Sequence, residues 1–199
     1  GMVITVGENY CHSFEQADMD ACQRKVAYRL LYADPAILGD YPKELMAYEP
    51  LRPYFTDEMR GEMKEKFTPM DFCGVNYYSA FHARSGNKSI LGTMGFDPKL
   101  PKDAYGFTTY APGLFDVMYQ LNQRYNGKPL LITENGYAQR REAAFGMDLE
   151  PLHSDTIRQN YMREHIRECA RLIRAGVNLQ GYFYWSFMAS WEYRNGFNV

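Results

Sequence analysis

Glu134 is the side chain whose position most suggests chemistry. It ends the run Pro129-Leu130-Leu131-Ile132-Thr133, and Asn135-Gly136 follows it. Apolar and β-branched residues in succession read as a short strand buried on both faces, as in a parallel sheet. Asn-Gly supplies backbone that tolerates positive φ and turns the chain. The spacing holds a carboxylate at the C-terminal end of a buried strand, the end that carries the chemistry in parallel α/β architectures. The same pattern also fits a solvated carboxylate at a turn, because Asn-Gly is the commonest hairpin signal.

Composition narrows what such a carboxylate could act on. Tyr 17, Phe 12 and Trp 2 bring the aromatic content to 16%. Flat apolar faces with a polar handle on Tyr and Trp suit a ring with one apolar face and a polar rim, such as a sugar, although core packing uses the same residues. The net charge of −2 argues against a nucleic-acid or anionic-membrane surface. No apolar run is long enough to cross a bilayer. Cys11, Cys22, Cys73 and Cys169 form no CxxC pair, so reduced thiols in a cytoplasm are the simplest expectation. His12, His82, His153 and His165 are scattered, no metal site is indicated, and no cofactor is expected. No signal peptide is visible, and Gly1-Met2 reads as a cloning remnant or the cut edge of a fragment.

The elements that must position Glu134 follow from periodicity. Strands are expected over residues 2–6, 71–78, 129–134 and 179–187. Ser13-Phe14-Glu15-Gln16 matches a capping box for a helix running to about Tyr32, with Asp34-Pro35 ending it. Residues 44–48 suggest another helical turn, and Thr56 can cap a charged, exposed helix reaching about Phe67. A long loop is expected over 79–110, of the kind that is functional or mobile. A helix over 112–124 carries Leu114, Val117, Met118 and Leu121 on one face. After a second loop over 137–154, Asp155 caps the clearest helix. Ile157, Tyr161, His165, Cys169 and Leu172 stack along it, with Met162, Ile166 and Ile173 beside them. His165 lies on the apolar face and reads as a satisfied packing histidine. Alternating βα units with buried strands predict a parallel sheet, and four such units are half of an eight-stranded (β/α) barrel whose fourth unit lacks its helix.

Several motifs in order resemble glycoside hydrolase family 1, the β-glucosidase family. Ile132-Thr133-Glu134-Asn135-Gly136 is similar to its nucleophile signature, Asp71-Phe72-Cys73-Gly74-Val75-Asn76-Tyr77-Tyr78 to its sixth strand, and Gly181-Tyr182-Phe183-Tyr184-Trp185-Ser186 to its eighth. Asp34-Pro35 with Gly39-Asp40-Tyr41-Pro42, and Tyr110-Ala111-Pro112-Gly113-Leu114, also match. The resemblance implies an α/β fold of TIM-barrel type, partial, corresponding to strands 5 to 8, with residues 1–199 as the C-terminal half of the barrel. It implies a retaining β-glycosidase in which Glu134 is the nucleophile and Tyr78 orients it. Asn76, Trp185, Glu192 and Tyr193 would then bind a small β-glucoside or oligosaccharide.

The departures from the family are equally informative. No Asn-Glu-Pro occurs, so the acid/base carboxylate has no counterpart, and the Gln and His-Trp residues that hold sugar hydroxyls are missing too. Where the family reads Asp-Asn-Phe-Glu-Trp, this chain has Ala189-Ser190-Trp191-Glu192-Tyr193. Glu192 retains the carboxylate for the sugar's 4- and 6-hydroxyls, which favours a plain hexoside over a 6-phosphorylated one. A half barrel would leave strand edges unpaired and one face unpacked. Such a chain should form a homo-oligomer or pair with a complementing N-terminal half-barrel. The alternative function is a non-catalytic half-barrel that binds sugar or a partner protein.

Overall fold

The computed structural model describes residues 1–11, 13–86, 89, 91–139, 155–188, 191–193 and 196. Four parallel strands form the frame: β1 (Met2–Cys11), β2 (Cys73–Arg84), β4 (Leu130–Asn135) and β5 (Leu179–Tyr184), in spatial order β1-β2-β4-β5. A short β3 (Thr93–Gly95) adds antiparallel to the far end of β2. The helices are α1 (Gln16–Arg29), α2 (Ala33–Leu38), α3 (Lys43–Met46), α4 (Asp57–Lys66), α5 (Ala111–Arg124) and α6 (Thr156–Arg174).

The helices cover one face of the sheet. Cys73, Val75, Tyr77, Leu130 and Ile132 alternate onto that face and are wholly buried against Leu114, Met118 and Leu172. The other face stays open: Val3 is 53% exposed and Phe183 57%. Gly74 belongs to this open face, where a Cβ would run into Thr133 and Val3, so glycine there lets three strands close up.

Several local expectations need correction. Ser13 does not close a capping box; its hydroxyl donates to Asp18 at 2.8 Å and accepts from the Glu15 N–H, and α1 starts without a side-chain cap. Asp34-Pro35 does not end a helix. It opens α2, because the first helical turn has no internal use for the N–H that proline lacks. Asp34 is buried there, paired with Arg124, which also reaches Glu44 at 3.0 Å. β1 and β2 run on to Cys11 and Arg84, so part of the expected 79–110 loop is strand. On α6, Ile157, Ile166 and Ile173 are exposed, while Glu168 is buried and paired with Arg171 at 2.6 Å.

Other expectations hold. The Thr56 hydroxyl accepts from the Met59 N–H at the start of α4, a helix with no buried residue. Asp155 accepts from the Arg158 N–H at the start of α6. His165 is 1% exposed and its Nδ1 bonds the Tyr161 carbonyl at 2.8 Å, but Nε2 has no partner among the described residues. Burial pulls its pKa down to about 4. Cys22, Cys73 and Cys169 are buried. Beyond residue 139 the expected 137–154 loop lies outside the described residues.

Candidate active site

Neighbouring strands deliver the centre. Asn76 on β2 stands opposite Glu134 on β4, just past a register shift at Val75. Alternation sends Val75 and Tyr77 under the helices and turns Tyr78 to the other side. The Tyr78 hydroxyl donates to Glu134 Oε2 at 2.8 Å. Burial, and then this bond to a carboxylate, push the Tyr78 pKa up, so the hydroxyl remains a donor.

β5 brings the third component. The Trp185 N–H donates to the Asn135 carbonyl at 2.8 Å, which sets the indole at the same end of the sheet as Glu134. Trp185 is 49% exposed, and its Nε1–H reaches Glu192 Oε1 at 3.5 Å. Glu192 is held by paired backbone bonds with Gly196, each 2.7 Å. Tyr193 is exposed and edge-on to Trp191.

Tyr78, Glu134, Trp185, Glu192 and Tyr193 all line one cavity of about 560 Å³. Asn76 is not among its lining residues. Its amide oxygen accepts from the Thr133 hydroxyl at 2.6 Å, beside the Glu134 backbone.

Gly136 serves differently from the turn expected. It has no positive φ, and a Cβ there would collide with the Trp185 carbonyl oxygen. Close approach of β4 to β5, not turn geometry, requires glycine. Asn135 is the last residue of β4 rather than part of a hairpin.

A second wall was not read from sequence. Asp103, Tyr105 and Phe107, from the segment between β3 and α5, line the cavity with Tyr137 and Arg158. Asp103 Oδ1 accepts from the Tyr105 and Phe107 N–H groups, both at 2.9 Å, and burial raises its pKa. The Ala104 N–H donates to the Ala138 carbonyl at 2.9 Å, which ties this segment to the chain just after Glu134. Aromatics flanking a glycine in Tyr105-Gly106-Phe107 were the available signal. Among the described residues no group of His, Cys, Asp or Glu is arranged to hold a metal ion.

A carboxylate hydrogen-bonded by a tyrosine at the C-terminal end of parallel strands, beside an indole and a second carboxylate, stands where (β/α) barrels place their active sites. The glycosyl hydrolase family 1 model matches residues 1–199, and the chain belongs to that family. The 6-phospho-beta-glucosidase GmuD of Bacillus subtilis is 27% identical over 99% of this chain and 45% of its own length. Beta-glucosidase A of Thermotoga maritima is 29% identical over 84% of this chain and 36% of its own. A Thermotoga maritima family 1 glycoside hydrolase complexed with a cyclophellitol analogue superposes with a TM-score of 0.82 at 27% identity, covering 98% of this chain and 43% of that one. The chain thus spans less than half the length of these relatives, and its sheet is a partial barrel.

Proposed function

We propose that residues 1–199 are the C-terminal half, strands 5 to 8, of a retaining β-glycosidase barrel acting on β-glucosides, with Glu134 as nucleophile. The observation that carries this reading is the 2.8 Å bond from Tyr78 to Glu134 inside a cavity shared with Trp185 and Glu192. One Glu134 oxygen attacks the anomeric carbon as the C–O bond to the leaving group breaks, giving a covalent glycosyl-enzyme. Tyr78 keeps the carboxylate aimed. Trp185 packs against the sugar ring, while Glu192 and Tyr193 contribute to holding it from the cavity wall and Asn76 acts from behind it, through Thr133. Thermotoga maritima beta-glucosidase crystallised with deoxynojirimycin supports a sugar-like ligand for this site.

Retaining hydrolysis needs a second carboxyl about 5–5.5 Å from the first. In our reading it belongs to a complementing N-terminal half-barrel, which would also cover the open face where Val3 and Phe183 lie. The test is intact mass after incubation with 2,4-dinitrophenyl 2-deoxy-2-fluoro-β-glucoside. Its leaving group departs without a proton, and the fluorine slows breakdown of the adduct. One added glycosyl mass mapping to Glu134, absent from Glu134→Gln, is expected. A folded chain that takes up no label would instead favour the non-catalytic half-barrel, consistent with the lack of an Asn-Glu-Pro sequence.

A further inference from the structure

Asn135 is fully buried, yet it is an amide. A buried amide is costly unless its polar atoms are bonded, and here they are. Nδ2 donates to the Tyr77 carbonyl at 2.7 Å and to the Tyr161 hydroxyl at 2.9 Å. Oδ1 accepts from the Tyr182 hydroxyl at 2.7 Å. The backbone carbonyl accepts from the Trp185 N–H at 2.8 Å. One residue of β4 is therefore bonded to β2, to α6, and twice to β5 and its end.

The places it ties matter. Tyr77 precedes Tyr78, Asn135 follows Glu134, and the β5 bonds fall at Tyr182 and Trp185 itself. The backbone ladder is irregular here on both sides of β4, with register shifts at Val75/Asn76 and at Ile132/Asn135. At such irregularities regular strand pairing no longer dictates how the chain ends sit. The amide supplies that constraint from its side chain. Its support is itself fixed, because Tyr161 stacks on His165 with ring centroids 3.9 Å apart.

We infer that Asn135 is a positioning residue: it holds Tyr78, Glu134 and Trp185 in mutual register and so keeps the Tyr78–Glu134 bond within hydrogen-bonding reach. The inference rests on Glu134 being the nucleophile. Asn135 touches neither sugar nor reacting atoms; it acts through the residues beside its partners.

The test pairs Asn135→Ala with Asn122→Ala. Asn122 is also a buried amide, accepting from the Asn178 N–H at 3.2 Å just before β5 begins. Both variants should lower Tm. Only Asn135→Ala should slow labelling by the fluoroglucoside, by about a hundredfold, the scale of a displacement near 1 Å at a reacting centre. Crystal structures of the variants read the Tyr78–Glu134 separation without turnover. It should open beyond hydrogen-bonding distance in Asn135→Ala and stay at its wild-type value in Asn122→Ala.

Should Asn135→Ala fail to fold, Tyr182→Phe removes a single donor to Oδ1 and should slow labelling about fivefold, as loss of one ordinary hydrogen bond would. The inference is overturned if the folded variant labels at the wild-type rate with the bond intact. It is equally overturned if Asn122→Ala slows labelling as much, because the effect would then follow stability alone. If wild-type protein takes no label, the glycosidase reading fails instead, and the crystallographic separation still decides the role of Asn135.

Discussion

Val75 and Tyr77 are wholly buried beneath the helices, whereas Asn76 and Tyr78, each one residue away on the same strand, stay partly exposed. β4 repeats the division: Leu130 and Ile132 disappear into the core, while Leu131, Thr133 and Glu134 do not. One face of the sheet carries the packing that folds the chain. The other, with the strand ends above it, carries the polar groups that could act on a ligand. Stability and chemistry are thus separated by the two-residue period of a strand. In the regular part of each strand a substitution should affect one or the other according to the parity of its position. The register shift between Ile132 and Asn135 breaks the alternation at Glu134 and Asn135.

The largest contrast should come from truncating each face. Ile132→Ala, at a wholly buried site, should lower unfolding free energy by about 2–5 kcal/mol. Phe183→Ala, at a side chain 57% exposed, should cost less than about 1 kcal/mol. Denaturant titration of both variants makes the comparison. Equal losses would abolish the distinction, since they would mean that the open face is covered in the folded chain.

A smaller effect lies inside the packed face. His165 is buried with its pKa drawn down to about 4, so the unfolded chain binds its proton first. Stability from this residue is complete above the unfolded value near pH 6.5 and declines as pH falls from there towards 4. The loss should reach at most about 3 kcal/mol, the worth of a shift of this size. Thermal melts across that window should show the decline in wild type and a flatter profile in His165→Phe. An unchanged profile would mean that His165 is not what sensitises the core to acid.

The pattern-bearing parts of the chain were legible from its residues. Glu134 could be read because an apolar run ends abruptly in a carboxylate, and α5 because its apolar residues repeat at helical spacing. Tyr78, Trp185 and Glu192 were legible only as members of motifs, since nothing in their spacing says that β2 and the segment after β5 converge on Glu134. Asn135 was misread as a turn residue, because Asn-Gly has the same local chemistry whether it turns the chain or closes a strand. What decides is the surroundings, with Tyr77, Tyr161 and Tyr182 arriving from three distant segments. Asp34-Pro35 misled for a related reason: proline stops a helix or starts one, and a buried partner, Arg124, sits ninety residues away. The wall formed by Asp103, Tyr105 and Phe107 depends on a loop path that periodicity does not encode.

The smallest effect belongs to the surface, far from either face of the sheet. Asp40 accepts from Arg60 through Nε at 2.9 Å and a second nitrogen at 2.6 Å, and from the Tyr41 N–H at 2.9 Å. These bonds, led by that to Arg60, hold its carboxyl near a pKa of about 2. The depressed value means that its stabilisation is present above the unfolded carboxyl range, near pH 4, and is lost as pH falls through 2. Water screens the pair, so Asp40→Asn should cost no more than about 1 kcal/mol at neutral pH. Its signature is the window: the variant should lose its deficit relative to wild type between pH 4 and 2, below the range in which His165 acts. A deficit that persisted unchanged at pH 2 would show that Asp40 works through shape rather than charge, and would leave the acid response of this chain to its packed face alone.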